Sequence, residues 1–138
     1  MIGVLIVTHG DIGTSLLTSA NQILGGPQAQ VATLSVWRAD EIDDLVLRAR
    51  ELLEGLDAGD GVLVLTDIFG ATPGNVVSRL LEDGKIEGVS GVSLPMLLRV
   101  LTSRNGSDGN KLRGAVERAR SGGAEGVVHM NSDKCCDA

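Results

Sequence analysis

Two short runs of almost uninterrupted apolar residues constrain the fold more than any other feature of this sequence. Residues 2–7 have the sequence Ile-Gly-Val-Leu-Ile-Val, and residues 61–66 have the sequence Gly-Val-Leu-Val-Leu-Thr. Runs of this length that are rich in β-branched residues are typical of strands buried on both faces, as in a parallel sheet. The two runs therefore predict the central strands of such a sheet.

Helical patterns follow both runs. Apolar residues at helical spacing predict one helix that ends at the Gly-Gly-Pro of residues 25–27, and a second that begins at Asp40 as its N-cap and ends near Gly55. Thr72 and Pro73 have the order of an N-cap and a first-turn proline. A third helix is therefore predicted to begin there.

The rest of the pattern continues this alternation. It predicts strands over residues 31–36, 89–93 and 127–129, a helix that begins at residues 94–95, a polar loop over 105–110, and a last helix that ends at residues 122–123. Alternating strands and helices indicate an α/β fold, with right-handed crossovers that place helices on both faces of the sheet. We predict a three-layer sandwich around a central, mostly parallel sheet. Residues 1–130 form one domain, and 131–138 are a disordered tail.

Composition excludes several classes of protein. The chain has 138 residues, of which 43% are hydrophobic, with one Phe, one Trp and no Tyr, so its core must be aliphatic. The net charge is −6, and no basic stripe or aromatic platform is present, which disfavours nucleic-acid binding. Cys135 and Cys136 are adjacent and lack the spacing of a zinc site. Because no Lys or Arg precedes Arg38 and no apolar run approaches membrane-spanning length, we expect a soluble cytoplasmic protein.

Two polar side chains follow the two central strands. In doubly wound sheets, ligands bind beyond the carboxyl ends of the strands, at the point where the winding reverses. If the first and third strands are neighbours there, the loops over residues 8–13 and 66–74 meet. One loop carries His9 and the other carries Asp67.

Together these loops can support nucleophilic chemistry on an anion. A carboxylate that accepts a hydrogen bond from one imidazole nitrogen fixes the tautomer and leaves the other nitrogen free as a nucleophile. Glycines in both loops allow backbone N–H groups to approach an oxyanion, and threonine hydroxyls add donors. Neither loop contains Lys or Arg, so backbone dipoles would hold a phosphate, which suits a site that must release it.

Other interpretations remain open on the residues alone. His9 is also compatible with a cap on the core, and Asp67 with a turn residue. Phosphate-binding loops of the Walker type and the dinucleotide fingerprint are absent. A metal site built from His9, Asp67 and Asp11 would have few and mixed ligands. A hydrolase would need an activated water or a nucleophilic hydroxyl, for which Thr72 is the nearby candidate apart from Thr8 and Thr66. A flavodoxin-like binding module would hold a small ligand.

The chain resembles the enzyme IIA component of the mannose-type (mannose/fructose/sorbose) family of the phosphoenolpyruvate-dependent sugar phosphotransferase system. The resemblance covers residues 2–129. Three motifs carry it: Val-Thr-His-Gly at residues 7–10, Thr-Asp-Ile-Phe-Gly-Ala-Thr-Pro at 66–73, and Gly-Val-Ser-Leu-Pro-Met-Leu at 91–97. The sequence departs from the family at Ala71 and Thr72, where members often have Gly and Ser, although a hydroxyl is retained.

This resemblance implies a phosphohistidine carrier. His9 would accept a phosphoryl group on Nε2 from the histidine-containing phosphocarrier protein and pass it to a IIB component for sugar uptake and phosphorylation. Asp67 would hold the other ring nitrogen. No metal or cofactor is implied. The implied phosphate-binding residues are Gly10, Gly70, Ala71 and Thr72, and the implied pocket wall comprises Thr8, Leu94, Pro95 and Met96.

The resemblance also implies an assembly. The family forms homodimers in which the last strand, here residues 127–129, is exchanged between subunits in an antiparallel position. Contact with the membrane would be indirect, through a permease. An alternative function is that of a regulatory phosphocarrier, which reports the state of the phosphotransferase system to partner proteins without serving a permease. His129 has no role that the resemblance carries over.

Overall fold

The computed structural model describes residues 1–105 and 111–132. This described part contains nine helices and strands, which alternate as far as the eighth and end with a second helix in succession. In order they are β1 (Gly3–His9), α1 (Ile12–Leu24), β2 (Val31–Val36), α2 (Ile42–Leu56), β3 (Val62–Thr66), α3 (Thr72–Ser78), β4 (Ile86–Ser90), α4 (Leu94–Ser103) and α5 (Lys111–Glu125). The predicted α/β class is confirmed.

The sheet contains four strands in the order β2-β1-β3-β4. All three strand pairs are parallel. The predicted neighbours β1 and β3 are central, and the winding reverses between them because β2 and β4 lie on opposite sides of this pair. The carboxyl ends of β1 and β3 therefore meet at the switch point.

Two aliphatic cores cover the two faces of the sheet. Leu5 and Val7 of β1 pack with side chains of α2 and α3. Val4 and Ile6 point to the opposite face and pack with side chains of α1, α4 and α5. All four side chains are completely buried. Burial on both faces explains why the sequence of β1 shows an apolar run rather than an alternation.

Two predicted helix starts differ from the observed ones. α2 begins after Glu41 rather than after Asp40. The Asp40 carboxylate instead accepts a hydrogen bond from the Trp37 backbone N–H at 2.8 Å, which closes the turn after β2. Thr72 is the first helical residue of α3, whose N-cap is Ala71. By contrast, Gly25 ends α1 as predicted, in the left-handed conformation with φ of 89°.

β4 covers residues 86–90, three residues earlier than the predicted strand. Gly91 has a φ of 80°, which ends the strand. Ser93 caps α4, since its hydroxyl accepts a hydrogen bond from the Met96 N–H at 3.3 Å. The sequence did not reveal the true bounds of β4, because this strand lies at the sheet edge and its half-buried residues give a weak apolar pattern.

The glycine pair at residues 122–123 does not end the last helix. α5 continues to Glu125. A Cβ atom on Gly122 would lie 3.1 Å from the Arg99 Cβ of α4, and one on Gly123 would lie 2.9 Å from the Met96 sulfur-bound methyl carbon. These glycines therefore allow α5 to approach α4 closely, a packing role that local propensity does not reveal.

The predicted C-terminal antiparallel strand is wrong. Residues 127–129 form no strand with any described part of the chain. The N–H of Val127 instead bonds the Ala124 carbonyl at 3.3 Å, in a turn that follows α5. A three-residue segment becomes a strand only when a neighbouring strand pairs with its backbone N–H and C=O groups. The apolar character of residues 127–129 does not by itself provide such a neighbour. Residues 106–110 of the predicted loop and residues 133–138 of the predicted tail lie outside the described residues.

The described helices include none that combines the length and apolar character required to cross a membrane.

Two helical glycines provide a test of how α1 is seated on the sheet. A Cβ on Gly13 would lie 2.9 Å from Ile6 Cγ2 and 3.0 Å from Thr8 Oγ1, whereas one on Gly55 of α2 would have nothing within 4 Å. Both substitutions to Ala gain helix propensity. We expect Gly13→Ala to lower the free energy of unfolding by about 1–3 kcal/mol through overpacking, and Gly55→Ala to raise it by about 0.5–1 kcal/mol. Urea unfolding measures both, and equal effects would contradict this packing.

Candidate functional site

The register of β1 and β3 sets the position of the candidate site. Val7 lies opposite Thr66, the last residue of β3. β1 continues two residues further, to His9, and β3 is followed at once by Asp67. Gly10 has a φ of 49° and turns the chain away from β1 toward α1. The two predicted side chains therefore lie side by side at the carboxyl edge of the sheet.

A single carboxylate oxygen holds His9 in two ways. Asp67 Oδ2 lies 2.8 Å from His9 Nδ1. The same oxygen accepts the backbone N–H of His9 at 3.0 Å. The carboxylate thus takes the place of a backbone acceptor at the end of the β1–β3 ladder. Because both the ring and the backbone of His9 are bound to one oxygen, the imidazole has little freedom to rotate.

The hydrogen bonds that Asp67 accepts keep it ionised. Its Oδ1 accepts the N–H of Ile68 at 3.0 Å. Burial by itself would raise the pKa of Asp67, but the hydrogen bonds from the ring and backbone of His9 outweigh it and hold the pKa below its ordinary value. An ionised carboxylate only accepts hydrogen bonds, so Nδ1 of His9 carries the proton. In the neutral ring, Nε2 then bears the lone pair.

Exposure differs between the two members of the pair. The side chain of His9 is 49% exposed, whereas that of Asp67 is 13% exposed. The orienting group is therefore largely shielded from water, and the imidazole is open to a large reactant. This arrangement suits a reaction with another macromolecule better than one inside a closed pocket.

Thr8 supports the loop from the buried side. Its side chain is 1% exposed. Its hydroxyl accepts the N–H of Gly13 at 2.8 Å, which fixes the first turn of α1 against β1. The hydroxyl is thus engaged within the fold, and the structure does not place it at the exposed face of His9.

The loop between β3 and α3 contains the predicted phosphate-binding residues. Gly70 has a φ of 89°, and a Cβ there would meet nothing within 4 Å, so its backbone borders open space. Ala71 is the N-cap of α3, and the exposed Thr72 is its first residue. Gly74 lies under the loop, since a Cβ on it would be 3.0 Å from the Ile68 carbonyl oxygen. The close contact at Gly74 holds the loop over the start of α3.

The predicted pocket wall is only partly near this loop. The N–H of Val92 bonds the Thr66 carbonyl at 3.0 Å, which ties the segment before α4 to the end of β3. Met96, however, is buried among side chains of α1, α4 and α5. Pro95 and Met96 line a groove beside α5 to which neither His9 nor Asp67 contributes. The structure therefore does not bring Met96 to the imidazole, and wall roles for Leu94 and Pro95 stay predictions.

Trp37 is a neighbour of the site that the sequence analysis missed. Val36 lies opposite His9 in the β1–β2 register, so Trp37 is the first residue beyond β2 at the same edge. A Cβ on Gly10 would be 3.2 Å from Cζ3 of its ring. Trp37 lies on neither of the two loops that meet at the switch point. An aromatic residue directly after a predicted strand next to β1 was the available signal.

No group of three or more His, Cys, Asp or Glu side chains among residues 1–105 and 111–132 is arranged to hold a metal ion. What the pair can do chemically follows from its own geometry. The carboxylate orients the ring and stabilises positive charge on it, and Nε2 is available to attack an electrophilic centre such as phosphorus.

Comparisons with known proteins agree with this chemistry. Residues 3–117 match the model of the EIIA-man family, described as the PTS system fructose IIA component. The chain is 34% identical to the PTS system fructose-specific EIIA component of Bacillus subtilis over 105 residues. The aligned residues cover 75% of this chain and 71% of that protein. It superposes on the phosphotransferase system component EIIA of Streptococcus agalactiae with a TM-score of 0.83 and 28% identity, over 96% of this chain and 99% of that one.

A longer relative matches over part of its length. The PTS system mannose-specific EIIAB component of Escherichia coli K12 is 33% identical over 132 residues, which are 95% of this chain. The chain spans 40% of the length of that protein.

The lowered pKa of Asp67 predicts how this pair responds to acid. A carboxyl group whose folded-state pKa is depressed stabilises the fold above its unfolded pKa, and this contribution is lost as the pH falls through the folded pKa. Asp67→Asn keeps an oxygen acceptor but removes the charge. We expect the wild type to be more stable than Asp67→Asn near neutral pH, and the two to converge in acid. Unfolding free energies measured across the acid range test this, and a constant difference would contradict it.

Proposed function

This chain belongs to the mannose/fructose/sorbose family of phosphotransferase-system IIA components, and we propose that it carries a phosphoryl group as a phosphohistidine on His9. In this proposal, the histidine-containing phosphocarrier protein donates the group, and a IIB component receives it for sugar uptake and phosphorylation. The observation that carries the proposal is the 2.8 Å contact between Asp67 Oδ2 and Nδ1 of the half-exposed His9. It leaves Nε2 as the nitrogen available for reaction.

The proposed transfer exchanges one phosphorus–nitrogen bond for another. The Nε2 lone pair of His9 attacks the phosphorus of the donor phosphohistidine, and the bond to the donor ring breaks as the new one forms. The donor ring keeps the electron pair of the broken bond. Positive charge that develops on the His9 ring is stabilised by the Asp67 carboxylate across the Nδ1–H bond. Such transfers depend mainly on positioning and electrostatics.

The loop before α3 is proposed to hold the phosphoryl oxygens. Gly70, Ala71 and Thr72 offer backbone N–H groups and one hydroxyl. The N–H of Gly10 on the other loop already donates to the Val36 carbonyl at 2.9 Å, so it is not available to the phosphoryl group. Neither loop contains a cationic side chain. Binding by neutral donors leaves the group without a fixed counter-charge, which suits a carrier that must pass it on rather than retain it.

The proposed partners follow from the relay. They are the phosphocarrier protein, a IIB component and a second copy of this chain in a homodimer. The relay operates in the cytoplasm, and contact with the membrane is through a permease. The strongly exposed Val127 and Met130 offer apolar surface for a partner subunit.

The relay proposal predicts which histidine is labelled. Incubation with phosphoenolpyruvate, enzyme I and the phosphocarrier protein is expected to give an acid-labile, base-stable phosphoprotein. His9→Ala should abolish labelling, because it removes the acceptor nitrogen. His129→Ala is the matched control, since this histidine is exposed and its ring pairs with the Ser132 hydroxyl at 2.8 Å, away from His9 and Asp67. Undiminished labelling of His9→Ala would refute the assignment.

A second variant separates orientation from acceptance. Asp67→Ala removes the carboxylate that fixes the ring, and a misoriented nucleophile typically reacts about 10²-fold more slowly. We expect slower transfer by about this factor, with labelling still on His9 and with an intact fold by circular dichroism. Rapid-quench kinetics of the phosphoryl transfer measure the effect. A wild-type rate would remove Asp67 from the mechanism.

A further inference from the structure

Trp37 occupies the third loop at the carboxyl edge of the sheet. The β1–β2 register places Val36 opposite His9, and Trp37 follows Val36 directly. Its ring lies beside Gly10, the residue next to His9, at a distance where a Cβ on Gly10 would be 3.2 Å from Cζ3. Two hydrogen bonds with Asp40 hold this turn. The Trp37 N–H donates to the Asp40 carboxylate at 2.8 Å, and the Asp40 N–H donates to the Trp37 carbonyl at 3.0 Å. The backbone of Trp37 is therefore fixed by this turn, and its indole lies beside Gly10, the residue that follows His9.

The indole contributes little to the core. It is 57% exposed and does not belong to either buried cluster. Three further large apolar side chains are exposed on the segments that follow β1 and β3: Ile12 at the start of α1, and Ile68 and Phe69 in the loop before α3, at 45%, 54% and 82%. Single exposed apolar residues are ordinary, but a group of them around one reactive side chain marks an interaction surface.

The reaction itself determines what must cover this surface. Reacting atoms have to approach to about 3–3.5 Å before transfer. A donor whose phosphoryl group is carried on its own protein surface must therefore contact the loops next to His9. Trp37 is on one of these loops, and large aromatic residues are the side chains that most often dominate protein–protein binding.

The charge around Trp37 indicates the chemistry of the partner. Asp11, Glu41 and Asp44 are exposed on the adjoining segments, and Asp40 is half-exposed. Asp43 is paired with Arg79 at 2.9 Å. Arg38 is the only Lys or Arg in positions 1–47, and Arg48 lines the same surface depression as Asp40, Glu41 and Asp44, so acidic side chains outnumber basic ones here. The acidic side chains around Trp37 complement a basic surface on a partner protein.

We propose that Trp37, beside Gly10 and the exposed imidazole of His9, is a specificity-determining contact for the protein that donates the phosphoryl group. This inference rests on the proposed function. In this proposal, the donor presents an apolar patch with a basic margin. The indole packs against that patch and becomes buried when the donor phosphohistidine meets the His9 ring. Trp37 does not touch the transferred group, so its contribution is to recognition of the donor.

Steady-state transfer from the phosphorylated phosphocarrier protein tests this role. We expect Trp37→Ala to raise KM about tenfold, a typical effect of losing one aromatic anchor, and to leave kcat within about twofold. Ile23→Ala is the matched control, because Ile23 is 59% exposed on the last turns of α1, away from this edge. An unchanged KM, or a fall in kcat alone, would overturn the proposal. Trp37→Phe is expected to restore most of the affinity, and Trp37→Gln, which also removes the aromatic ring, serves the same comparison as Trp37→Ala if that variant fails to fold.

Fluorescence separates docking from phosphoryl transfer. Trp37 is the only tryptophan in a chain without tyrosine. Titration with a tryptophan-free phosphocarrier protein should change its emission saturably, both in the wild type and in His9→Ala, since docking does not need the acceptor nitrogen. Binding by calorimetry without a change in emission would overturn the Trp37 proposal alone. Absence of both binding and phosphorylation of the wild type would instead refute the proposed function.

Discussion

The parallel pairing of β1 with β3 is the interaction on which the rest of this structure depends. Its register places Val7 opposite Thr66 and thereby brings His9 next to Asp67. Side chains alternate between the two faces of a strand, so a slip of one residue would move the apolar side chains of β1 to the wrong cores. Two aliphatic cores thus fix the register, and the register fixes the distance between imidazole and carboxylate. The site is thus a consequence of packing, because its two members are 58 residues apart in sequence.

The pairing of β1 with β3 determines several features of the site. The carboxylate is shielded, bound to the ring and backbone of His9, and held ionised, so it determines which ring nitrogen carries the proton. Thr8 and Gly13 seat α1 against β1 from the buried side. The imidazole remains half-exposed at an edge lined with apolar side chains. A rigid orienting group under an accessible nucleophile is the arrangement that protein-to-protein phosphoryl transfer requires.

The sequence predicted the features that depend on local pattern and on the rules of parallel sheets. Continuous apolar runs located β1 and β3, and the switch-point rule indicated that His9 and Asp67 would lie close together. Three of the misses have a common cause, because each depended on tertiary packing. Gly122 and Gly123 serve the contact with α4 rather than a helix end. Residues 127–129 need a partner strand that the described chain does not supply. Trp37 became visible as a neighbour of Gly10 only when the β1–β2 register was known.

The central claim is that Asp67 holds Nδ1 of His9 and leaves Nε2 as the acceptor of the phosphoryl group. Phosphorus–nitrogen correlation NMR of the phosphorylated, histidine-labelled protein identifies the bonded nitrogen directly, with the unmodified ring of His129 as an internal reference. The account predicts a phosphorus–nitrogen bond at Nε2 of His9, with Nδ1 still protonated. A bond at Nδ1 would contradict it, because that nitrogen could not accept the group while bound to Asp67.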